Sequence, residues 1–249
     1  MSRNLVYIVS IADSSAKVDH SLYSKHCIES WGYYCKRNDI DLFVKTDSDP
    51  RCGKPIWNKE LVFEHAQGYD KVAVVDADTM IKWDAPNLFD EFDEELCMVN
   101  DDTNLNWIYN SVSNYSKFFP NLDLDIDEYG NAGVIFFHSK FLKVFENVFN
   151  FYLDNKQELD NWNKGGGREQ TIFNFTLKSM GIKPKILSPK WNLISMHKRG
   201  LFMNNFQFQD NTPHFIKYGY IWHFTGFAIE DRIKVVNDTW NIIKQNYDL

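Results

Sequence analysis

Four apolar residues, three of them valine, run directly into two carboxylates in Val72-Ala73-Val74-Val75-Asp76-Ala77-Asp78. An unbroken, β-branched apolar run predicts a buried strand. Asp76 and Asp78 then stand at its C-terminal end, where open α/β sheets keep their ligand crevice. Residues two apart on an extended segment point to one side, so both carboxylates can face one hard cation. Mg²⁺ and Mn²⁺ favour oxygen ligands and leave coordination positions for the oxygens of a polyphosphate. A plain strand-to-loop exit shows the same pattern, because Asp is common in turns.

The segments around this strand alternate in type. Residues 5–10 predict a first strand. Tyr23, Cys27, Ile28, Trp31, Tyr34 and Cys35 are spaced for a helix over about 21–37. Leu42-Phe43-Val44 predicts a second strand, 46–55 a loop, and 58–67 a helix stopped near Gly68. Leu96 to Val99 forms a strand, and 100–128 is acidic and irregular. A strand over 132–137, helices over 140–154 and 168–180, a strand over 184–187, a late strand at Tyr220 to Phe224 and a closing helix over 230–245 complete the pattern. Alternation of this kind predicts βαβ units, a largely parallel, doubly wound sheet and an α/β fold. No repeat or linker divides residues 1–249, so one domain is expected.

With 249 residues, 44% hydrophobic and 24% charged, the chain can bury a sizeable core. A net charge of −7 excludes a nucleic-acid partner or an anionic-membrane surface, which need a basic field. Twenty Phe, 12 Tyr and 8 Trp suit a core and also walls for stacking bases and sugar rings. The four cysteines lack metal-finger spacing, and Cys27 and Cys35 share one helix face as buried thiols. No apolar run reaches 18 residues, so no transmembrane segment is expected, and the N-terminal apolar stretch reads as a strand and not a signal sequence. A soluble cytoplasmic protein is the expectation.

Three later segments carry chemistry. Asn131-Ala132-Gly133 leads into the apolar run Val134 to Phe137, where a small-residue step lets a ligand approach the backbone. Gly165-Gly166-Gly167 opens a helix whose N-terminus can offer N–H groups to an anion, with Glu169 and Gln170 in its first turn. His223-Phe224-Thr225-Gly226 puts a histidine on a late strand, where a core role is the plainer alternative.

In this order the four elements resemble the GT-A glycosyltransferases. The likeness is to the retaining family-8 type that includes glycogenin and the lipopolysaccharide galactosyltransferases, over roughly residues 5–229. The resemblance implies a Rossmann-like nucleotide-diphospho-sugar transferase fold, a mixed, mostly parallel sheet with helices on both faces. It implies transfer of a hexosyl group from a nucleotide sugar, usually a UDP-sugar, to a glycan, lipid or protein acceptor. It also implies Mn²⁺ or Mg²⁺ held by Asp76, Asp78 and His223, and Glu169 and Gln170 as the catalytic pair. Ile11, Ala12, Asp13, Lys59, Ala77, Asn131, Ala132, Gly133 and Gly226 would then join Asp76, Asp78 and Gln170 around the donor.

Two departures stand out. Glu169 replaces the family's Asp, and Ile229 stands where the family has a lysine for the diphosphate, leaving Lys198, Arg199 or Arg232 to supply that charge. Three other classes bear on the same residues. Asp76 and Asp78 also resemble the first motif of haloacid-dehalogenase-type phosphatases, but that family opens its core with this strand, whereas here two strands and two helices precede it. A sugar nucleotidyltransferase and a sugar-nucleotide-binding protein without turnover remain the alternatives.

Overall fold

The computed structural model describes residues 3–12, 19–202 and 212–247. In chain order the elements are β1 (Asn4–Val9), α1 (Ser24–Arg37), β2 (Asp41–Lys45), α2 (Val62–His65), β3 (Lys71–Asp76) and β4 (Thr79–Ile81). There follow β5 (Leu96–Asn100), α3 (Leu105–Tyr115), β6 (Gly130–His138), α4 (Leu142–Asp154), α5 (Lys156–Asp160) and α6 (Arg168–Ser179). The last are β7 (Lys185–Ile186), α7 (His214–Tyr218), β8 (Ile221–His223) and α8 (Ile229–Ile243).

Six strands form one mixed sheet in the order β2-β1-β3-β6-β5-β7. Neighbours pair parallel except at β6, which runs antiparallel to both β3 and β5. The central strands are apolar at successive positions because both faces are covered. Leu5, Tyr7, Val72, Val74, Ile135 and Phe137 pack on one side with residues of α4 and α6, such as Phe145 and Phe173. Val6, Ile8, Ala73, Val75, Val134 and Phe136 pack on the other with Trp31 and Tyr34 of α1. Trp31 is fully buried, and its indole N–H reaches the Thr79 hydroxyl at 3.0 Å. Burying a side chain of that size contributes on the order of 1.5–3 kcal/mol, and the hydrogen bond ties α1 to the strand that follows the two carboxylates.

A second, two-stranded sheet pairs β4 with β8 antiparallel, setting Thr79 opposite His223. Met80, Trp222, Phe224, Val236 and Trp240 close a third apolar cluster under α8. Among the described residues no helix is long and apolar enough to cross a membrane. All four cysteines are free thiols, with Cys27 and Cys35 buried.

Three sequence expectations need correction. Residues 100–128 are not wholly irregular, because α3 occupies 105–115 with Asn104 capping the Trp107 N–H at 3.1 Å. The acidic residues that coloured the segment lie on either side of this helix and not in it. The helix expected over 58–67 is a 3₁₀ turn, Pro55–Lys59, followed by the single turn of α2. Pro55 opens the turn, and burial of Trp57, Asn58 and Lys59 holds it. Lastly, Ala77 and Asp78 form a turn between β3 and β4, so the carboxylates of Asp76 and Asp78 do not share an extended segment. The Thr79 hydroxyl bonds the Asp76 carbonyl at 2.7 Å and tightens that turn.

Candidate active site

Asp76, Asp78 and His223 converge at the C-terminal end of β3, with one ligand atom of each lying within 4.8 Å of the others. His223 arrives from the far end of the chain through the β4–β8 ladder, which continues in a bond from the Phe224 N–H to the Asp78 carbonyl at 2.9 Å. His223 and Asp78 are buried, while Asp76 is half-buried.

The histidine tautomer follows from its partners. Asn192 donates through Nδ2 to Asn131 Oδ1 at 2.8 Å, so its own Oδ1 must accept from His223 Nδ1 at 3.0 Å. That leaves Nε2 facing Asp78 at 3.2 Å and Asp76 at 3.7 Å. A lone pair beside two carboxylates needs a cation or a proton between them. Two carboxylates and an imidazole nitrogen are the donor set of a hard or borderline divalent metal, with the second ring nitrogen anchored as metal-ligating histidines require. The residues present fit such an ion.

Gly133 makes room for this arrangement. A Cβ there would lie 2.1 Å from His223 Cε1 and 2.8 Å from Nδ1. Its N–H also bonds Asn131 Oδ1 at 2.9 Å, so Asn131 joins the strand backbone to the Asn192–His223 pair.

On the side away from His223, Asp101 gathers the remaining amides. Its Oδ2 accepts from Asn131 Nδ2 at 3.0 Å and Gln170 Nε2 at 3.1 Å, while Gln170 Oε1 accepts from the Ala132 N–H at 3.0 Å. His223, Asn192, Asn131, Asp101 and Gln170 thus form one unbroken buried chain. Fully satisfied networks of this kind hold a single geometry. Replacing Asn192 by Ala should therefore weaken Mn²⁺ binding by about 10- to 100-fold although Asn192 touches no metal. Titration of the metal-free protein checks this, and an unchanged affinity would show that the ring is fixed by other contacts.

Lys59 is buried beneath Asp76, with its ammonium 2.6 Å from Asp76, 3.4 Å from Glu169 and 3.2 Å from the Ala132 carbonyl. Burial opposes its charge, but Asp76 and Glu169 outweigh that and raise it above the ordinary lysine value. Burial raises the Glu169 carboxyl, with Lys59 pulling the other way. Burial alone would raise Asp78 as well, yet His223 and Arg232 hold it well below the usual carboxylate range.

The structure thus brings together Lys59, Asp76, Asp78, Asn131, Ala132, Gly133, Glu169, Gln170 and His223. Ala77 is buried between the two carboxylates. Ile11 points its side chain into the core and Ala12 is exposed at the end of β1, while Asp13 lies outside the described residues. Gly226 takes a positive φ of 82° in the turn before α8. The glycine-rich loop is less open than an anion cradle needs, since the Gly167 N–H is bonded to Ser111 Oγ at 3.1 Å.

Sequence reasoning missed Asp101, Asn192 and His20. Asp101 repeats the pattern of a strand running into a carboxylate, which was a usable signal. Asn192 lies in a short irregular stretch with none. His20 is tied to the Val9 backbone, whose residue sits opposite Asp76 in the parallel register, and its buried Nδ1 has no partner among the described residues. Of the three cations considered for the missing lysine, Arg199 is taken by Asp102, whereas Arg232 lies 3.3 Å from Asp78.

No family model matches this chain, and no curated protein matches it. Solved structures do. A glycosyltransferase involved in glycosylation of the major capsid of PBCV-1 is 12% identical, with a TM-score of 0.58 over 94% of this chain and 98% of that one. The bifunctional glycosyltransferase WbbM is 17% identical with a TM-score of 0.58 over 99% of this chain, which spans 52% of WbbM. An active-site mutant of LgtC is 11% identical, with a TM-score of 0.53 over 94% and 95% of the two chains. The fold is GT-A. In this GT-A sheet the Asp-x-Asp turn follows β3 and the late histidine arrives on β8, so the candidate site occupies the sheet's carboxyl edge as expected from sequence.

Proposed function

We propose that this chain is a metal-dependent glycosyltransferase. It transfers a hexosyl group from a nucleotide sugar, a UDP-sugar, to a glycan, lipid or protein acceptor with retention of configuration. The observation that carries this is the convergence of Asp76, Asp78 and His223 at the carboxyl edge of a GT-A sheet. A divalent cation there, Mn²⁺ or Mg²⁺, acts as a Lewis acid on the diphosphate leaving group.

The chain's own residues do the rest. The end of β1, through the main chain at Ile11 and Ala12 and through Asp13, meets the base and ribose. His20 Nδ1 accepts a hydrogen bond from a hydroxyl of the nucleoside. Asn131, Gly133 and Asp101 bind the hydroxyls of the sugar, held by the amide chain that runs to Gln170. Ala132 contributes through its backbone alone, because its side chain is in the core and its N–H and carbonyl serve Gln170 and Lys59. Gln170 lies beside the anomeric carbon. Glu169, held in place by Lys59 at 3.4 Å, and Gln170 offer a carboxylate and an amide oxygen to the positive charge that develops on the sugar ring.

Incubation with a UDP-hexose and Mn²⁺ should release UDP slowly without any acceptor, as water intercepts the activated sugar, and chelation should stop it. Hydrolysis of a generic aryl phosphate that disappears in Asp76→Asn would replace this function with a phosphatase. Pyrophosphate release from a nucleoside triphosphate and a sugar phosphate would replace it with a nucleotidyltransferase.

A further inference from the structure

Each carboxylate of the metal pair already has a cation of the protein's own. Asp76 has Lys59 at 2.6 Å, and Asp78 Oδ2 has Arg232 Nη1 at 3.3 Å. The two cations are held differently. Lys59 is buried and bound on three sides. Arg232 extends from the first turns of α8 across the ring of Tyr23, 5.1 Å from its centroid, with Nη1 also 3.3 Å from the Tyr23 hydroxyl. Its Nε is buried and has no hydrogen-bond partner among the described residues. A buried guanidinium N–H left unpaired is costly, so this side chain is arranged for one contact more than the protein supplies.

We propose that Arg232 is an exchangeable counter-cation. It neutralises Asp78 while no metal is bound, and it turns to an anionic diphosphate once a metal takes the carboxylate. The inference rests on the glycosyltransferase function proposed above. Its physical basis is simple competition. Asp78 is nearly enclosed and cannot remain without a positive partner, so a divalent cation must displace the guanidinium charge or share the carboxylate with it. Arg232 then loses its one carboxylate, and a diphosphate oxygen is the partner that a fork of N–H donors binds best. The stacked Tyr23 ring keeps the guanidinium beside the site during the exchange. Metal and diphosphate therefore assist each other through Arg232 in addition to any direct contact between them.

The test uses the full chain and two equilibrium titrations, neither of which needs turnover. Free Mn²⁺ is followed by paramagnetic resonance without nucleotide, and UDP or inorganic pyrophosphate is titrated by calorimetry at saturating Mn²⁺. Arg232→Gln should tighten Mn²⁺ binding about fivefold or more, because the competitor is gone. The same variant should weaken UDP and pyrophosphate binding by about ten- to a hundredfold. Arg232→Lys keeps the charge and should return both affinities toward wild type.

Opposite shifts in the two titrations are the signature, since damage to the fold would weaken both. A parallel fall of both affinities, or unchanged anion binding in Arg232→Gln, overturns the proposal. If the wild type binds pyrophosphate but not UDP, and the opposite shifts persist, the exchange stands and the nucleotide-sugar function falls.

Discussion

Replacing Asp78 by Asn is expected to abolish Mn²⁺-dependent release of UDP, lowering kcat by about 10³-fold or more. Asp78 is the candidate ligand most enclosed by charged partners, buried between His223 and Arg232 at 3.2 and 3.3 Å. An amide keeps the shape and removes the charge that a cation needs. Mn²⁺ titration without substrate should show the same loss, which separates a ligand role from a catalytic one. The variant also loses a buried charge partner, so its stability should fall, by less than the roughly 3–5 kcal/mol of a fully broken buried pair because Asn still hydrogen-bonds.

The sign of a pH effect follows from the same residue. Asp78 is held below its ordinary value of 3.8 in the folded protein, so the unfolded chain takes up that proton first. Its contribution to stability is complete above that value and is lost as the pH falls further. Asp78→Asn should remove this part of acid denaturation, visible as a flatter melting-temperature profile below about pH 4. Full Mn²⁺ affinity in the folded Asn variant would remove Asp78 from the site.

Gly133→Ala is expected to disable the centre without deleting any ligand. The new Cβ would need the space of His223 Cε1, 2.1 Å away, while β6 holds the backbone in the middle of the sheet. The imidazole must move, and the shift carries Nε2 away from both carboxylates. Overpacking of this kind costs about 1–3 kcal/mol, a tolerable loss for the sheet, whereas Mn²⁺ affinity should drop to that of His223→Ala. A double mutant supplies the check. If the glycine acts through the histidine, adding Gly133→Ala to His223→Ala should change metal affinity little further. Additive losses would mean that Gly133 serves something else, such as direct backbone approach by the sugar.

The centre of the main sheet was legible because its strands are buried on both faces and so are locally distinctive. Val72 to Val75 and Val134 to Phe137 need no partner to be recognised as strands. The site was legible in part for the same reason, since Asp76 and Asp78 follow such a strand directly. His223 was not legible from local chemistry, where a core histidine reads the same. It emerged from the order of motifs, and the structure supplies the physical cause in the three-residue pairing of β4 with β8, of which β8 is legible as a late strand and β4 is too short to stand out. Lys59 stands in a 3₁₀ turn and Asn192 in an irregular stretch, where periodicity gives no signal. Their placement depends on contacts between distant segments, to Asp76 and Glu169 for one and to Asn131 and His223 for the other. Helix α3 escaped notice for a different reason. Ile108, Ser111 and Tyr115 are buried and Trp107 and Val112 pack against the core beside them, a stripe obscured in the sequence by the polar residues between them and by the acidic flanks.

The β4–β8 ladder also sets the order in which this protein can come into being. All six strands of the main sheet are present once the chain has been made as far as Ile186. At that stage Asp76 already has Lys59, but Asp78 lacks both the histidine and Arg232. Only the segment from Ile221 onward supplies its partners. A nascent chain emerging from its N-terminus therefore carries a complete scaffold before it carries a reactive centre, and the last contacts to form, which span more than half its length and close slowly, are those that make it capable of chemistry.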